Sequence, residues 1–417
     1  MNFHIETYGC TANFGNSEDA KAALIEYGHQ PSSLEDADIV IVNTCAVTAK
    51  TERKIKRRLQ ELDGNRLIVA GCLPASMPET IRQIGCLKII GLLNRRSAQE
   101  IGEILKILPD RKANVSAKAV QMSLPVRRDV CAVVNISEGC NGGCTYCIVK
   151  KARGKLVSRQ IEEVTMAVEG LVRSGAVEVQ LAAQDTAAYG NDIDTNLAEL
   201  LDKVTEIPGN FKVRIGMMNP DTALSIQKEL LRSFRSPKIY RFLHMPIQSG
   251  SDKILKSMGR RYSANDFLEI VKDFRSIYPD LTLITDVIAG FPGETEDDAK
   301  ETLDLIALLQ PDKVNVTKFS KRPSTAAAKL YDMPDRIKKD RSRELTKLWL
   351  EIAGIKNRRY VGHVLDALVT ECGRGETMKA RSANYVGIVI SGAPELGSFC
   401  QIKIQGANSF YLDGILQ

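Results

Sequence analysis

Three cysteines fall within eight residues of this 417-residue chain, at Cys140, Cys144 and Cys147. Their CxxxCxxC spacing supplies thiolates for three irons of a cubane cluster, and the fourth iron is left without a protein ligand. A site one ligand short keeps an open coordination position for a small molecule, as open catalytic metal sites do. The alternatives are a zinc knuckle or a chance grouping, but zinc sites favour paired CxxC halves with a fourth Cys or His. The spacing therefore predicts an open iron–sulfur site.

Length and composition limit the class of protein. A chain of 417 residues with 44% hydrophobic content predicts two or three domains. No apolar run reaches the ~18–20 residues of a membrane span, and residues 1–6 lack the basic and then apolar pattern of a signal peptide. We therefore expect a cytoplasmic protein that does not contact membranes. Ten cysteines in such a chain indicate metal ligands or buried thiols rather than a disulfide framework.

The first 110 residues repeat one pattern, in which an apolar strand is followed by an amphipathic helix. Strands are predicted over 3–10, 37–45, 67–72 and 87–91, and helices over about 16–28, 48–62, 76–84 and 98–108. This alternation predicts a parallel sheet with helices on both faces. Cys10, Cys45 and Cys72 end the first three strands, and ligands bind at the carboxyl edge of such sheets. Either these thiols form a second three-cysteine site, or they are buried or incidental.

The remaining chain divides into three parts. Residues 109–125 are polar and irregular, which is typical of a linker. From about residue 129, a helix is predicted over 160–174, strands over 177–182, 211–215, 240–245, 281–288 and 313–319, and further helices over 265–278 and 296–309. About six such βα units predict a partial or complete parallel barrel, with catalytic loops after the strands. The last ~60 residues contain short strands separated by glycine turns, which predict a small antiparallel β-barrel.

Basic residues concentrate in three stretches, at 50–58, 150–159 and 336–359. The third stretch contains nine basic and three acidic residues. It also contains Trp349, which we interpret as a packing residue. Separated basic stretches suit contact with an extended phosphate backbone. For any single stretch, the alternative is a solvated helix face. The other four cysteines, at positions 86, 131, 372 and 400, are interpreted as structural thiols.

The order of these parts resembles the methylthiotransferase family of radical S-adenosylmethionine (SAM) enzymes over essentially the whole chain. The motifs that carry the resemblance are TYGCTAN at 7–13, NTCAVT at 43–48, AGCLP at 70–74, SEGC at 137–140, ARG at 152–154, HMPIQSGS at 244–251, DVIAGFPGE at 286–294 and ARSANY at 380–385. CTAN and ARG are similar to the archaeal and eukaryotic branch. That branch acts on N6-threonylcarbamoyladenosine at tRNA position 37, beside the anticodon.

The resemblance implies a domain order and two [4Fe-4S] clusters. It implies an N-terminal methylthiotransferase α/β domain at 1–110, a linker at 111–128, a radical-SAM partial barrel at 129–355 and a TRAM-like RNA-binding barrel at 356–417. Cys140, Cys144 and Cys147 would hold the SAM-cleaving cluster. Cys10, Cys45 and Cys72 would hold an auxiliary cluster that presents the sulfur to be transferred.

The candidate SAM contacts lie after barrel strands. They are Gln184, Asp185, Gln248, Ser251, Asp286 and Gly290. Gly290 would let the backbone approach the SAM adenine closely, or it is a simple turn glycine. Arg153 is a candidate partner for a SAM or substrate carboxylate, because a guanidinium can grip a carboxylate with two hydrogen bonds. The alternatives for Arg153 are a phosphate contact and a surface charge.

The implied reaction needs radical chemistry, because carbon 2 of adenine is unactivated and the cofactor must supply the reactivity. One SAM would donate a methyl group to the transferred sulfur, and a second would yield the radical. The expected partners of the monomeric enzyme are the tRNA anticodon stem-loop and an electron donor protein. Two alternatives stay open. One is methylthiolation of a ribosomal protein side chain, and the other is a non-catalytic iron–sulfur protein that binds RNA.

Overall fold

A computed structural model describes residues 1–107 and 130–417 of the chain, so the predicted linker at 111–128 lies outside the described residues. The chain forms two compact units. Of the described residues, the first unit comprises 1–107, Glu138–Asn141 and Cys147–Leu156, and the second comprises 130–137, Gly142–Tyr146 and Val157–Gln417. The predicted domain boundaries within the chain stay a prediction.

The first unit is an α/β layer built on five strands. Its strands are β1 (Asn2–Thr7), β2 (Gln30–Pro31), β3 (Ile39–Thr44), β4 (Leu67–Gly71) and β5 (Lys88–Ile89), and its helices are α1 (Thr11–Glu26), α2 (Ala49–Glu61), α3 (Cys72–Ser76), α4 (Arg95–Ile107) and α5 (Val149–Arg153). The strands are parallel and lie in the order β2-β1-β3-β4-β5. This arrangement confirms the predicted parallel sheet.

Alternate residues of the central strands point to opposite faces of the sheet. Ile39 and Ile41 of β3 pack with α1 and α4, whereas Val40 and Val42 pack with α2. All six residues of β3 are buried, as expected for a parallel strand covered on both faces. Burying a side chain of this size stabilises the fold by about 1.5–3 kcal/mol.

Two predicted helices of the first unit differ from the structure. α1 begins at Thr11 instead of about residue 16. Asn13 and Asn16 have weak helix propensity, but both are buried at the start of α1, and their side-chain hydrogen bonds outweigh that propensity. The helix predicted over 76–84 is wrong. α3 ends at Ser76, and Met77 leaves the helical region because it precedes Pro78.

The second unit contains six parallel strands and a terminal barrel. Its strands are β6 (Cys131–Asn135), the Ser137 half of β7 (Ser137–Glu138), β8 (Val157–Ser158), β9 (Glu178–Ala182), β10 (Lys212–Ile215), β11 (Phe242–His244), β12 (Thr282–Ala289), β13 (Lys313–Lys318), β14 (Val364–Cys372), β15 (Thr377–Ser382), β16 (Gly387–Ser391), β17 (Phe399–Ala407) and β18 (Leu412–Leu416). Its helices are α6 (Ile161–Arg173), α7 (Leu197–Glu206), α8 (Pro220–Ser225), α9 (Gln227–Ser233), α10 (Asp252–Ser257), α11 (Ala264–Ile277), α12 (Glu296–Leu309) and α13 (Asp335–Arg358).

The six parallel strands form two sheets, with orders β10-β9-β6 and β11-β12-β13. A parallel bridge between Val213 and Ile239 links β10 to the segment before β11. Helices alternate with these strands, and their apolar faces share one buried core with the strands. This is the predicted partial barrel. Trp349 packs in that core and donates its ring N–H to the Asp312 carbonyl at 3.1 Å, so its interpretation as a packing residue is confirmed.

The C-terminal strands close into a small barrel with the order β14-β15-β16-β18-β17. Its closure confirms the predicted β-barrel, although β15 was not predicted. One pair, β16 with β18, is parallel rather than antiparallel. Five strands in a closed ring cannot all alternate in direction, so at least one neighbouring pair must be parallel. Cys372 of β14 is exposed, and its interpretation as a core thiol is therefore wrong.

None of the described helices is both long enough and apolar enough to span a membrane.

Candidate functional site

Three cysteines lie at the carboxyl edge of the first unit's sheet. Cys45 directly follows β3, Cys72 directly follows β4, and Cys10 lies three residues after β1, where it is the N-cap of α1. A Cβ at the position before Cys10 would lie 3.1 Å from the Cys45 Sγ, and the Cys72 thiol donates to the Asn13 side-chain oxygen at 3.7 Å, next to Cys10 on α1. The structure thus brings together three residues that are separated by 35 and 27 positions in the chain.

Gly9 allows the Cys10 turn to approach Cys45 closely. A Cβ at position 9 would lie 2.7 Å from the Cys45 Cβ and 3.1 Å from its Sγ, at a backbone φ of +116°. A side chain there would both clash and strain the backbone. The residue before Cys10 must therefore be glycine for the cysteines to share this edge of the sheet. We refer to Cys10, Cys45 and Cys72 together as the cysteine edge.

Buried asparagines fix the backbone beneath the cysteine edge. The Asn13 amide donates to the carbonyls of Tyr8 at 2.7 Å and Thr44 at 3.0 Å. Asn43 in turn donates to the Asn13 carbonyl at 2.9 Å. These bonds join the residues that precede Cys10 and Cys45, and buried polar groups satisfied in this way rigidify a site.

Arg153 lies against the cysteine edge with its side chain only 3% exposed. Its Nε donates to the Cys72 sulfur at 3.4 Å, and its terminal nitrogens donate to Glu138 at 3.0 Å, to Asn16 at 2.9 Å and to Asn13. The guanidinium is thus surrounded by acceptors of the protein itself. The structure gives Arg153 these partners within the protein, and its contact with a SAM or substrate carboxylate stays a prediction. Its burial also excludes a surface charge.

Burial shapes the acidity of the cysteine thiols. Burial raises the pKa of Cys45 to about 11 and also raises the pKa of Cys72, where the Arg153 charge opposes the rise. A positive charge beside a sulfur favours the thiolate, which is the form that binds metals.

Within residues 1–107 and 130–417, no three Cys, His, Asp or Glu side chains converge tightly enough for a single metal ion. A cubane cluster places each thiolate on a different iron, so its ligands stand farther apart.

The CxxxCxxC segment is anchored separately in each unit. In the first unit, the Cys140 N–H donates to the Gly154 carbonyl at 3.2 Å. In the second unit, Thr145 donates from its N–H to the Met258 carbonyl and from its hydroxyl to the Ser257 carbonyl, both at 2.9 Å. Cys140 and Cys147 belong to the first unit and Cys144 to the second.

Arg260 and Tyr146 form a contact that the sequence analysis missed. The Tyr146 ring packs edge-on against Phe291, with centroids 6.3 Å apart, and Arg260 donates to the Tyr146 hydroxyl. Arg260 also donates to the Asn219 side chain. These bonds fix the aromatic residue directly before Cys147. No spacing signal links positions 146 and 260, so only the fold reveals the pair.

Four candidate SAM residues lie near the carboxyl ends of barrel strands. Gln184 and Asp185 follow β9, Gln248 follows β11, and Asp286 lies in β12. The Gln248 N–H donates to the Asp286 carbonyl at 2.8 Å, and Gln248 adopts a left-handed φ of 70°. The Asp286 carboxylate lies 2.7 Å from His244 Nε2 and accepts from Asn315 at 3.0 Å. The structure thus brings Gln248 and Asp286 together on neighbouring strands.

Two other candidates have internal packing partners. The Ser251 hydroxyl is buried and donates to Asp298 at 2.7 Å, at the start of α12. A Cβ at Gly290 would lie 2.2 Å from Cγ of Lys338, and its φ is +72°. The close approach of α13 therefore explains why position 290 has no side chain. The contacts of all these candidates with SAM stay a prediction.

Asp185 is expected to make stability depend on pH. Burial raises the pKa of Asp185 to about 6, although the Asn219 N–H and the Thr222 hydroxyl each donate to it at 2.9 Å. The folded pKa lies above the unfolded value, so this contribution to stability is lost as pH rises from about 4 to 6. Between pH 5 and 7 the wild type should lose about 1 kcal/mol more than Asp185→Asn.

Urea unfolding of both proteins at pH 5 and pH 7 checks this expectation, because other titrating groups are common to the two. Equal losses in the two proteins would show that Asp185 is not destabilised by burial.

Three sequence families match the chain in order. Residues 2–90 match the uncharacterized protein family UPF0004, residues 134–306 match the radical SAM superfamily, and residues 358–416 match the TRAM domain. A radical SAM methyltransferase from Kitasatospora setae, solved with cobalamin and a [4Fe-4S] cluster bound, has a similar fold. That alignment has a TM-score of 0.59 at 13% identity and covers 78% of this chain and 77% of the other.

Curated relatives match along almost the whole chain. A protein of Pyrococcus horikoshii named "Probable threonylcarbamoyladenosine tRNA methylthiotransferase" is 40% identical, over 99% of this chain and 98% of its own length. The threonylcarbamoyladenosine tRNA methylthiotransferase of Drosophila melanogaster is 33% identical, over 98% of this chain and 76% of its own length. With three family matches in the same order, this chain belongs to the threonylcarbamoyladenosine tRNA methylthiotransferase family.

Proposed function

We propose that this protein replaces the hydrogen on carbon 2 of N6-threonylcarbamoyladenosine in tRNA by a methylthio group, as a radical SAM enzyme. The observation that carries the proposal is the 40% identity with the Pyrococcus horikoshii relative across 99% of this chain. Such coverage includes the radical SAM match, the N-terminal sheet and the TRAM match together. Position 37 of the tRNA, beside the anticodon, is the expected site.

An iron–sulfur cluster and SAM are the cofactors of the radical SAM region. Cys140, Cys144 and Cys147 are the proposed cluster ligands, because their spacing leaves one iron open to SAM. When bound, these cofactors supply the radical chemistry that an unactivated carbon needs. Gln184, Asp185, Gln248 and Asp286 are the proposed polar contacts to SAM, since catalytic loops of such barrels follow the strand ends.

A second [4Fe-4S] cluster is proposed at the cysteine edge. Three features of the structure support it: the cysteines meet at one edge, Arg153 places a buried positive charge 3.4 Å from the Cys72 sulfur, and Gly9 leaves room for the approach to Cys45. Buried arginines are costly unless they face negative charge. Glu138 supplies one such charge at 3.0 Å, and a cluster bound by three thiolates would add to it, with Arg153 as its positioning residue.

The proposed partners are the tRNA anticodon stem-loop and an electron donor protein. The TRAM match at 358–416 coincides with the closed barrel of β14–β18. Small barrels of this kind commonly bind oligonucleotides on their strands and loops. An electron donor is required because SAM cleavage consumes an electron.

Mass spectrometry of tRNA nucleosides tests the proposed function directly. Reconstituted, reduced protein and SAM are incubated with tRNA that carries threonylcarbamoyladenosine. We expect a mass gain equal to one methylthio group on that nucleoside. The same incubation with ribosomes tests methylthiolation of a ribosomal protein side chain instead. Absence of both the product and 5′-deoxyadenosine would favour a non-catalytic RNA-binding protein.

A further inference from the structure

Two large apolar side chains lie exposed directly beside the cysteine edge. Phe14 and Val47 are each 48% exposed. Phe14 lies one helical turn after Cys10, and its N–H donates to the Cys10 carbonyl at 3.3 Å. Val47 lies two residues after Cys45 in the loop between β3 and α2. Each exposed apolar group therefore flanks a different cysteine of the edge.

The start of α2 adds positive charge to the same edge. Lys54 lies over the ring of half-buried Tyr8, with its Nζ 5.6 Å from the centroid, and Tyr8 is two residues before Cys10. Arg53 and Lys54 are both exposed. Helix side chains tilt towards the N-terminus, and the N-terminus of α2 lies four residues after Cys45. Lys54 therefore lies beside the residue that leads into Cys10, and Arg53 precedes it near the start of α2.

The neighbouring basic residues of α2 are already paired with acids. Lys56 pairs with Glu52, Arg57 with Glu61, and Arg58 with Glu6. In the described ranges, no carboxylate lies within ion-pair distance of Arg53 or Lys54. On α1, the acid one turn after Phe14 is itself neutralised, since Lys21 pairs with Glu18 at 3.4 Å. Arg53 and Lys54 are thus the cations that α2 presents beside Cys45 without an ion-pair partner among the described residues.

We propose that Phe14, Val47, Arg53 and Lys54, here called the rim, bind the unpaired loop of the substrate tRNA. Phe14 stacks on a base, and Arg53 contacts a backbone phosphate. Aromatic platforms combined with a cationic groove are how proteins hold single-stranded nucleic acid, and RNA loops present unstacked bases for such contacts. The proposal rests on the proposed function and locates its substrate, because the reacting base must come close to the cysteine edge.

Variants of Phe14 test the stacking contact. Cluster-loaded full-length protein is titrated with an anticodon stem-loop that carries threonylcarbamoyladenosine. Phe14→Ala should weaken binding by about 5- to 150-fold, Phe14→Leu should weaken it nearly as much, and Phe14→Tyr should retain it because the ring persists. Tyr27→Ala is the matched control, since Tyr27 is a 46% exposed aromatic at the other end of α1.

The salt dependence of binding tests the phosphate contact. Arg53→Gln should reduce the slope of log Kd against log salt by about 0.7, the value for one phosphate contact on a single strand. Arg57→Gln lies on the same helix with a side chain 85% exposed and paired to Glu61. It should leave the slope unchanged. Iron content and SAM cleavage without RNA should be equal in all variants, because the rim residues hold neither cofactor.

Equal binding by wild type, Phe14→Ala and Arg53→Gln would overturn the rim proposal, as would equal losses in Phe14→Ala and Tyr27→Ala. Tight binding of a protein and not of RNA at the rim would overturn it too. The proposed function is judged separately by the modified nucleoside. If the wild type makes that product and the Phe14 variants bind normally, only the rim proposal fails. If the wild type makes no product, the binding measurements still decide whether the rim holds RNA.

Discussion

Cys10→Ala is expected to reduce methylthiolated tRNA to background while 5′-deoxyadenosine continues to form from SAM. Cys10 lies at the cysteine edge with Cys45 and Cys72, and the substitution leaves CxxxCxxC intact. The fold should tolerate it, because Cys10 is exposed and its side chain makes no capping bond to α1. Liquid chromatography of 5′-deoxyadenosine and mass spectrometry of tRNA nucleosides measure the two activities in one reaction.

Cys372→Ala is the matched control, because Cys372 is also exposed but belongs to the terminal barrel. It should retain both activities. Cys140→Ala should lose both, since it removes a ligand of the SAM-cleaving cluster. A normal yield of methylthiolated nucleoside from Cys10→Ala would show that the cysteine edge does not hold an auxiliary cluster.

The cysteine edge was predictable because its signal is local. Each cysteine follows an apolar strand, and parallel strands place their carboxyl ends together whatever the loop lengths between them. The order of strands and helices was predictable for the same reason, since each element carries its own hydrophobic period. The differences arise where other forces override that period: buried hydrogen bonds of Asn13 move the start of α1 to Thr11, and the proline at 78 ends α3 at Ser76.

The environment of Arg153 was not predictable from its own segment. Its partner Cys72 lies 81 positions away, and Asn13 lies 140 away. Local sequence shows only a basic residue in a basic stretch. The same holds for the third stretch, where Lys338 and Arg341 are 5% and 7% exposed and face acids of the protein. The basic composition of this stretch predicted contact with nucleic acid. Because Lys338 and Arg341 are buried beside acids, however, these two cations belong to internal ion pairs.

Arg341→Met is expected to lower the free energy of unfolding of the second unit by about 3–5 kcal/mol, because it leaves a buried carboxylate without its partner. Arg341 donates to Glu294 at 2.7 Å, and the two side chains are 8% and 4% exposed. Glu294 also accepts the Gly290 N–H at 2.8 Å. The pair therefore joins α13 to the loop at 290–294. Urea unfolding followed by fluorescence of Trp349, the single tryptophan and a residue of α13, measures the effect.

The pH dependence of this loss distinguishes an unpaired charge from lost packing. Burial raises the pKa of Glu294, and the charge and hydrogen bond of Arg341 oppose the rise. Without Arg341 the folded pKa rises further above the unfolded value, so stability should be lost as pH increases and recovered at acidic pH. Arg341→Met combined with Glu294→Gln should recover part of the loss at neutral pH.

Arg343→Gln, which breaks only an exposed pair with Asp340 at 3.5 Å, should change stability by less than about 0.5 kcal/mol. A deficit in Arg341→Met that is independent of pH and unchanged in the double variant would mean that packing of the arginine side chain, rather than its charge, stabilises the loop.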